Sequence, residues 1–180
     1  MKNYLLIGLL WLSFIGFSQN DTPMPLEQFT RVNLGLHGLE LTNELPISNS
    51  FVWENSIGIG MGSYVLSGAN YTLILAEPAP YFTSELKFLY NRNKRFKKNR
   101  SALNNSGNYV GLQTKYSFGS DKTFELNHTL LTELHWGIQR PLGKRFIFDF
   151  HLGFGYLSDF DFNEGAVSPT LGLRFGYKLF

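Results

Sequence analysis

The sequence of 180 residues contains no cysteine. This absence excludes disulfide frameworks, cysteine-ligated zinc sites, thiol nucleophiles and a lipidated N-terminal cysteine. Charged residues are also few, at 17% of the chain, against about 25% in ordinary soluble domains. The formal net charge of +2 argues against a nucleic-acid-binding surface that covers the molecule. The length is that of one domain.

After the N-terminus there is no apolar run long enough for a membrane helix. At the N-terminus, Lys2 precedes the apolar stretch Tyr4–Phe17, and Ser18 follows it. This is the pattern of a secretory signal peptide, so we predict that residues 1–18 are cleaved after Ser18 and that residues 19–180 are exported. An uncleaved anchor is the alternative, but no stop-transfer flank follows. Export without cysteine is compatible with the periplasm or outer membrane of a Gram-negative cell.

Aromatic residues and glycine are abundant, with 17 Phe and 18 Gly. The dominant signal in the chain is alternation with a period of two, which is typical of β-strands. From Arg145 to Leu157, large apolar side chains on one face alternate with charged residues and glycine on the other. The same alternation predicts strands at Tyr81–Tyr90, Asn108–Phe118, Asn127–Gln139 and Thr170–Leu179.

The apolar face of these strands is too bulky to be the interior of a small barrel. An eight-stranded barrel has a lumen only just wide enough for side chains. We therefore predict that the apolar face contacts lipid and that small and charged residues pack inside. A soluble lipocalin-like barrel inverts this arrangement and stays as an alternative, because periodicity does not name the outer face. The predicted lumenal ion-pair network is Glu54, Glu85, Lys87, Lys115, Glu133, Arg145, Asp149 and Arg174.

An internal repeat indicates the topology. A shift of 95 residues places Leu39–Met61 on Leu134–Tyr156 without a gap, and each copy reads as a strand, a short Pro-containing turn and a strand. Short turns of such barrels lie on the periplasmic side. The predicted periplasmic segments are therefore Pro46–Asn49, Asn91–Gly107 and Pro141–Lys144, and the predicted outer loops are Ser63–Pro80, Gly119–Leu126 and Ser158–Ala166. A first hairpin, Gln28–Leu34 with Leu39–Leu45, brings the number of strands to eight.

Three segments carry a family resemblance: QRPLGKRFIFDFHLGFGY, ELKFLYNRNKRFKKNR with NNSGNYVGL, and GLRFGYKLF. They resemble the small outer-membrane β-barrel proteins of Gram-negative bacteria, and particularly those of Bacteroidota. The resemblance covers nearly all of the chain after the signal peptide. It implies an all-β, antiparallel, eight-stranded transmembrane barrel that contacts outer-membrane lipids and is inserted by the barrel-insertion machinery. It implies no particular activity.

A basic segment separates two of the predicted strands. We predict contact of its cations with anionic headgroups of the inner leaflet or with cell-wall polymer. A solvated periplasmic turn is the alternative. Nucleic acid is not expected as a partner, because Phe96 is the one stacking side chain in the segment. The six cations are Arg92, Lys94, Arg95, Lys97, Lys98 and Arg100.

Two further patterns resemble chemical sites without matching them. Asp159–Gly165 begins like a calcium loop, but its glycine comes one position late and its twelfth position is Thr170. An outer-membrane acyl hydrolase would need a lipid-face Ser–His pair, whereas alternation turns His135 and His151 toward the lumen beside acidic residues. His128 has Thr129 beside it but no serine at a matching position.

We therefore expect a non-enzymatic outer-membrane barrel with a structural or loop-mediated role. No catalytic residue, cofactor or metal ligand is predicted, and the packed lumen is expected to leave no aqueous pore. The alternatives are a secreted soluble lipid-binding barrel and an outer-membrane lipid hydrolase.

Overall fold

The computed structural model describes residues 25–65, 68–72, 78–120 and 126–180. The predicted signal peptide lies outside these residues, as do parts of two predicted outer loops. The described residues form ten strands and one short helix. They are β1 Phe29–Gly35, β2 Gly38–Pro46, β3 Phe51–Gly60, β4 Gly62–Val65, β5 Ala69–Thr72, β6 Ala79–Phe88, α1 Arg92–Lys97, β7 Gly107–Ser120, β8 Leu126–Leu142, β9 Phe146–Asp159 and β10 Glu164–Lys178.

Eight of the strands close into an antiparallel barrel in the order β1-β10-β9-β8-β7-β6-β3-β2. Closure is made by β1 and β10, which pair from Arg31 with Lys178 to Gly35 with Arg174. The predicted all-β, eight-stranded antiparallel barrel is thus confirmed, including its short first hairpin. No helix among the described residues is long and apolar enough to cross a membrane.

The internal repeat reappears as two hairpins of identical register. In the β2–β3 hairpin Leu39 pairs with Ile59 and Pro46 with Val52. In the β8–β9 hairpin Leu134 pairs with Phe154 and Pro141 with Ile147, which are the same positions after the shift of 95 residues. Both hairpins turn at one end of the barrel.

We call this end the terminal end, because β1 begins and β10 finishes there. The opposite end, which carries the turn 36–37, the β4–β5 pair and the turn 160–163, is called the loop end. The predicted outer loop Ser158–Ala166 is shorter than expected, since β9 and β10 pair up to Asp159 with Glu164.

Alternation along each strand separates an apolar outer face from a polar inner face. In β7, buried and more accessible residues alternate over the whole strand. Outward side chains such as Phe154, at 68% of its full accessibility, and Leu134, at 60%, are exposed, whereas the inward Arg31 is fully buried. The residues buried inside the barrel are therefore mostly polar or charged, the reverse of an ordinary soluble domain.

Candidate functional site

The centre of the lumen holds a network of ion pairs. Lys87 Nζ lies 2.7 Å from Glu54 Oε2 and 3.2 Å from Asp149 Oδ2. Arg174 contacts the same two carboxylates, at 2.7 Å from Glu54 and 3.4 Å from Asp149. Because these residues lie on β3, β6, β9 and β10, the network crosses the lumen and ties distant walls of the barrel together.

Three lumenal residues that the sequence analysis did not include belong to this network. Arg31 Nη2 lies 2.8 Å from Glu54 Oε2 and 3.2 Å from Glu44 Oε1. Glu40 accepts a hydrogen bond of 3.0 Å from Arg174 Nη1. Alternation along β1 and β2 could have identified all three, but the first hairpin is short and its strands show few large apolar residues.

The structure places seven of the eight predicted lumenal residues inside the barrel. Arg145 is the correction: it lies in the exposed turn before β9 and donates to the Tyr177 hydroxyl at 3.0 Å. The turn is longer than alternation alone indicates, because Gly143 has a φ of +80° and β9 begins only at Phe146. The seven lumenal residues are Glu54, Glu85, Lys87, Lys115, Glu133, Asp149 and Arg174.

On the loop-end side of the ion-pair network, the groups beside the carboxylates are imidazoles. The His135 ring lies between two carboxylates, with Nδ1 at 2.9 Å from Glu133 Oε1 and Nε2 at 2.9 Å from Glu85 Oε1. The His151 ring stacks on the His135 ring with 4.2 Å between centroids. Lys115 is not part of this cluster; its ammonium lies 4.3 Å from the Tyr81 ring centroid.

Two glycines make room for these rings. A Cβ atom at Gly172 would lie 2.1 Å from Cε1 of His151, and one at Gly111 would lie 2.4 Å from Nε2 of His135. Real Cβ atoms do not approach other atoms so closely, so larger residues here would displace the imidazoles. The glycine-rich inner face thus provides the space that the imidazole cluster occupies.

The terminal end of the lumen is closed by the segment that follows α1. Asn105 Nδ2 donates to Glu44 Oε2 at 2.8 Å, and Asn105 Oδ1 accepts from the Glu27 backbone N–H at 2.8 Å. The carbonyl of Asn104 accepts from Gln139 Nε2 at 2.9 Å. Asn104 and Asn105 have φ near +50°, a conformation that asparagine tolerates better than most residues.

The loop end is closed by the β4–β5 hairpin, which lies largely within the predicted outer loop Ser63–Pro80. Val65 packs against Leu131 and Leu157 on the inner wall of the barrel. Ser63 Oγ lies 2.6 Å from Thr129 Oγ1. These contacts join residues far apart in sequence, so alternation within the segment could not reveal them.

Among the described residues the lumen is tightly packed, apart from a cavity of about 250 Å³ toward the loop end. Two cavities near the imidazole cluster, beside His37, have volumes of about 10 and about 20 Å³. Each is close to the smallest space that holds one water molecule. The charges of the network therefore contact each other rather than a column of water.

The basic segment forms the short helix α1 and the turn after it, at the terminal end. Arg92 and Arg95 are buried. Arg92 donates to the Asn49 carbonyl at 3.1 Å, and Arg95 donates to the Ser101 carbonyl at 2.8 Å. Burial lowers the pKa of both guanidinium groups, yet arginine stays protonated at neutral pH. The other four predicted cations are exposed: Lys94, Lys97, Lys98 and Arg100.

The acidic turn at the loop end is stabilised by hydrogen bonds to its own carboxylates. Asp159 Oδ1 accepts from the backbone N–H groups of Asp161 and Phe162 at 3.1 and 3.2 Å. Asp161 Oδ2 accepts from the His128 backbone N–H at 2.7 Å and lies 3.2 Å from His128 Nδ1. Among the described residues no serine hydroxyl is hydrogen-bonded to a histidine, so this geometry gives no reason to prefer a hydrolase.

The fold and lumen were compared with known proteins. No family model, no curated protein and no solved structure matches the chain.

Proposed function

We propose that the chain is a non-enzymatic outer-membrane β-barrel protein that acts structurally or through interactions of its loop end. The observation that carries the proposal is the inside-out distribution of side chains around a closed barrel. Large apolar residues surround the outside, and ion pairs fill the inside.

The apolar exterior favours lipid as the surrounding solvent. Monomeric soluble proteins rarely expose contiguous apolar patches larger than a few hundred Å², whereas outward apolar residues here occur on every barrel strand. Lipid removes this surface from water, and β1 and β10 close the barrel by pairing over Arg31–Gly35. Exposed aromatic residues lie toward both ends, as interfacial girdles require: Trp53, Tyr90, Trp136 and Tyr177 at the terminal end, and Phe118 and Tyr156 at the loop end.

The lumen is unsuited to the soluble alternative. A lipid-binding barrel needs an apolar cavity for an acyl chain, but this lumen holds Lys87, Glu54 and Asp149 in direct contact. A lipid tail placed there would separate buried ions from their partners, which costs several kcal/mol for each ion.

The exposed cations of the basic segment fit the same proposal. Lys94, Lys97, Lys98 and Arg100 lie at the terminal end, where a periplasmic orientation would bring them to the inner-leaflet headgroups. Each cation near an anionic surface contributes about 1 kcal/mol. On this proposal outer-membrane lipids are the immediate partners, and the barrel-insertion machinery is the transient one during biogenesis.

Membrane fractionation combined with heat-modifiable gel migration tests the proposal. The expected result is recovery in the outer-membrane fraction and a band whose migration changes when the sample is heated. Recovery in the soluble fraction would contradict it and would favour the secreted lipid-binding barrel.

A further inference from the structure

Three potential metal ligands converge in the upper lumen. Glu133 and His135 lie two residues apart on the inner face of β8, and His151 lies on the neighbouring strand β9. One ligand atom from each residue lies within 4.8 Å of the other two. All three side chains are buried.

From this arrangement we propose that Glu133, His135 and His151 form a binding site for a divalent transition-metal ion, with Zn²⁺ as the ion that the ligands suit best. Two imidazole nitrogens and a carboxylate oxygen are a ligand set that Zn²⁺ binds with a water or another group in the fourth position. The proposal concerns the lumen and does not depend on the membrane location.

The distances agree with a shared ion. Glu133 Oε1 lies 2.9 Å from His135 Nδ1 and 3.4 Å from His151 Nε2. Ligand atoms bound at about 2.0–2.2 Å in a tetrahedron are about 3.3–3.6 Å apart. To take up an ion, Glu133 Oε1 and His135 Nδ1 would have to separate by about 0.4 Å, and the two imidazole rings, which now stack with 4.2 Å between centroids, would have to turn toward a common point.

Glu85 supplies the outer partner that a metal-binding histidine normally has. Its Oε1 atom lies 2.9 Å from Nε2 of His135, which is the ring nitrogen that faces away from Glu133. A carboxylate in this position holds the proton on Nε2 and leaves Nδ1 free for a metal. The orientation of His135 is thus fixed by a group that is not itself a proposed ligand.

The surroundings of His151 give a second, independent indication of a bound ion. It is 2% exposed, and neither ring nitrogen has a hydrogen-bond partner within the part of the chain that the structure describes; Glu133 Oε1, at 3.4 Å from Nε2, is an ionic contact without hydrogen-bond geometry. Buried polar atoms normally have partners, because leaving one without a partner costs about 1–3 kcal/mol. A metal ion on Nε2 would supply the missing partner.

The charge of the lumen also favours a dication. Below the β4–β5 hairpin, the described inner face carries six carboxylates against four cationic side chains, an excess of two negative charges when the imidazoles are neutral. A bound divalent ion neutralises that excess. The carboxylates are Glu40, Glu44, Glu54, Glu85, Glu133 and Asp149, and the cations are Arg31, Lys87, Lys115 and Arg174.

A cavity lies beside the cluster on the side of the loop end. β1 pairs with β10 only as far as Gly35 with Arg174, so the upper part of β10 extends beyond the first hairpin. The cavity, of about 250 Å³, lies there and reaches Glu133, with Leu36, His37 and Thr170 among its lining residues. An ion that arrived through this cavity would not have to cross the central ion-pair network.

The competing explanation is a doubly protonated His135 that donates to Glu85 and Glu133 without any metal. Zinc titration of the folded wild-type barrel distinguishes the two. The protein is purified in detergent without a histidine tag, stripped with a chelator, loaded with Zn²⁺ and freed of unbound ion by gel filtration. We expect one zinc per chain by elemental analysis, and less than a tenth of an equivalent would overturn the proposal.

Matched variants assign the ion to the cluster. His151→Gln should weaken Zn²⁺ binding at least tenfold, and Glu85→Gln should weaken it about 10–100-fold, as for other outer partners of metal-bound histidines. His128→Gln, at the exposed histidine outside the cluster, should bind Zn²⁺ as the wild type does. Equal binding by His151→Gln and the wild type would overturn the assignment.

A measurement on the wild type covers the case in which a variant fails to fold. The zinc K-edge X-ray absorption of the loaded barrel should show scattering from two imidazoles together with oxygen ligands. A spectrum without imidazole scattering would overturn the proposal even if zinc were retained.

Discussion

At the scale of single residues, the burial of the Lys87 ammonium is made possible mainly by carboxylates of other strands. Lys87 is buried, and its ammonium contacts carboxylates of β3 and β9 and, at 3.8 Å, Glu85 of its own strand. Removing a charge from water costs several kcal/mol, which only close partners of opposite sign offset. The net stabilisation of such a pair is small, but the loss of one partner is costly.

We expect Lys87→Met to lower the free energy of unfolding by about 3–5 kcal/mol, because it leaves Glu54 and Asp149 with one cation fewer in a buried site. Urea unfolding of the barrel in detergent measures the change. Lys178→Met is the control: its partner Glu27, at 2.7 Å, is partly exposed, so the loss should be about 0–1 kcal/mol. If both variants lowered the free energy of unfolding equally, the lumenal ion pairs would not be desolvated.

Phe150 tests the outer face at the same scale. It points outward from β9 between the buried Asp149 and His151. Phe150→Asp should prevent membrane insertion, because a charge on the lipid face near mid-strand costs on the order of 2 kcal/mol or more. The amount of heat-modifiable protein in the membrane fraction is the readout.

Phe162→Asp is the matched control, since Phe162 is exposed in the turn at the loop end and the same substitution should be tolerated there. If Phe150→Asp inserted as well as the wild type, the outward face would not contact lipid. The soluble barrel would then become the better proposal.

At the scale of elements, one carboxylate connects the β4–β5 hairpin to the neighbouring turn 160–163. Asp159 Oδ2 accepts from the Val65 backbone N–H at 2.9 Å and from Asn127 Nδ2 at 2.6 Å. The same side chain orders the turn 160–163 through its other oxygen. The hairpin and the turn are therefore coupled through Asp159.

Asp159→Ala should loosen the hairpin without unfolding the barrel. Hydrogen bonds to charged groups contribute about 1.5–3 kcal/mol, so amide exchange at Val65 should accelerate about 10–100-fold. Hydrogen–deuterium exchange measures this directly. Asp161→Ala, which removes the contacts to His128, should leave amide exchange at Val65 unchanged; the same acceleration in both variants would contradict the coupling.

The elements also show why part of the fold was predictable and part was not. Period-two alternation depends only on neighbouring residues, so it located the long strands, and the repeat located the turns near Pro46 and Pro141. The β4–β5 hairpin escaped prediction because Val65 is held by Leu131 and Leu157, far away in sequence. Arg145 was misplaced because alternation does not show where a turn gives way to a strand.

The candidate site was predictable to a similar degree. Alternation identified which side chains face the lumen, but it could not tell that Lys87 meets Asp149, 62 residues away. It also could not bring Glu133, His135 and His151 into one cluster, because that depends on the β8–β9 register. Those contacts follow from barrel closure and not from any local pattern.

At the scale of the whole molecule, the two closures and the ion-pair network predict a barrel that does not conduct. Asn104 and Asn105 close the terminal end, the β4–β5 hairpin closes the loop end, and paired charges occupy the space between. An eight-stranded barrel has no spare lumen for water once side chains fill it.

We expect no steady conductance from the purified barrel in a planar lipid bilayer. A large porin measured in the same bilayer provides the positive control for insertion and recording. Steady, ion-selective openings of the barrel would contradict the packed lumen and would point to displacement of the hairpin at the loop end.

The orientation of the barrel is a prediction from the sequence, which places the turns near Pro46 and Pro141 on the periplasmic side. The structure puts the turns 47–50 and 143–145 at the terminal end together with α1, and the turns 36–37 and 160–163 at the loop end are equally short. The prediction that the loop end faces outward therefore needs a direct test. Because the chain lacks cysteine, a single introduced cysteine reports one position. Ser101 and Phe162 are exposed at opposite ends, whereas the neighbouring Asn163 has a φ of +56° that would strain a cysteine.

On intact cells, Phe162→Cys should react with a membrane-impermeant thiol reagent and Ser101→Cys should not. Both should react once the outer membrane is permeabilised, which controls for accessibility of the thiols. Labelling of position 101 but not 162 on intact cells would mean that the barrel is inverted. The exposed cations Lys94, Lys97, Lys98 and Arg100 would then face the outer surface, where phosphate groups of lipopolysaccharide are the anions that they would meet.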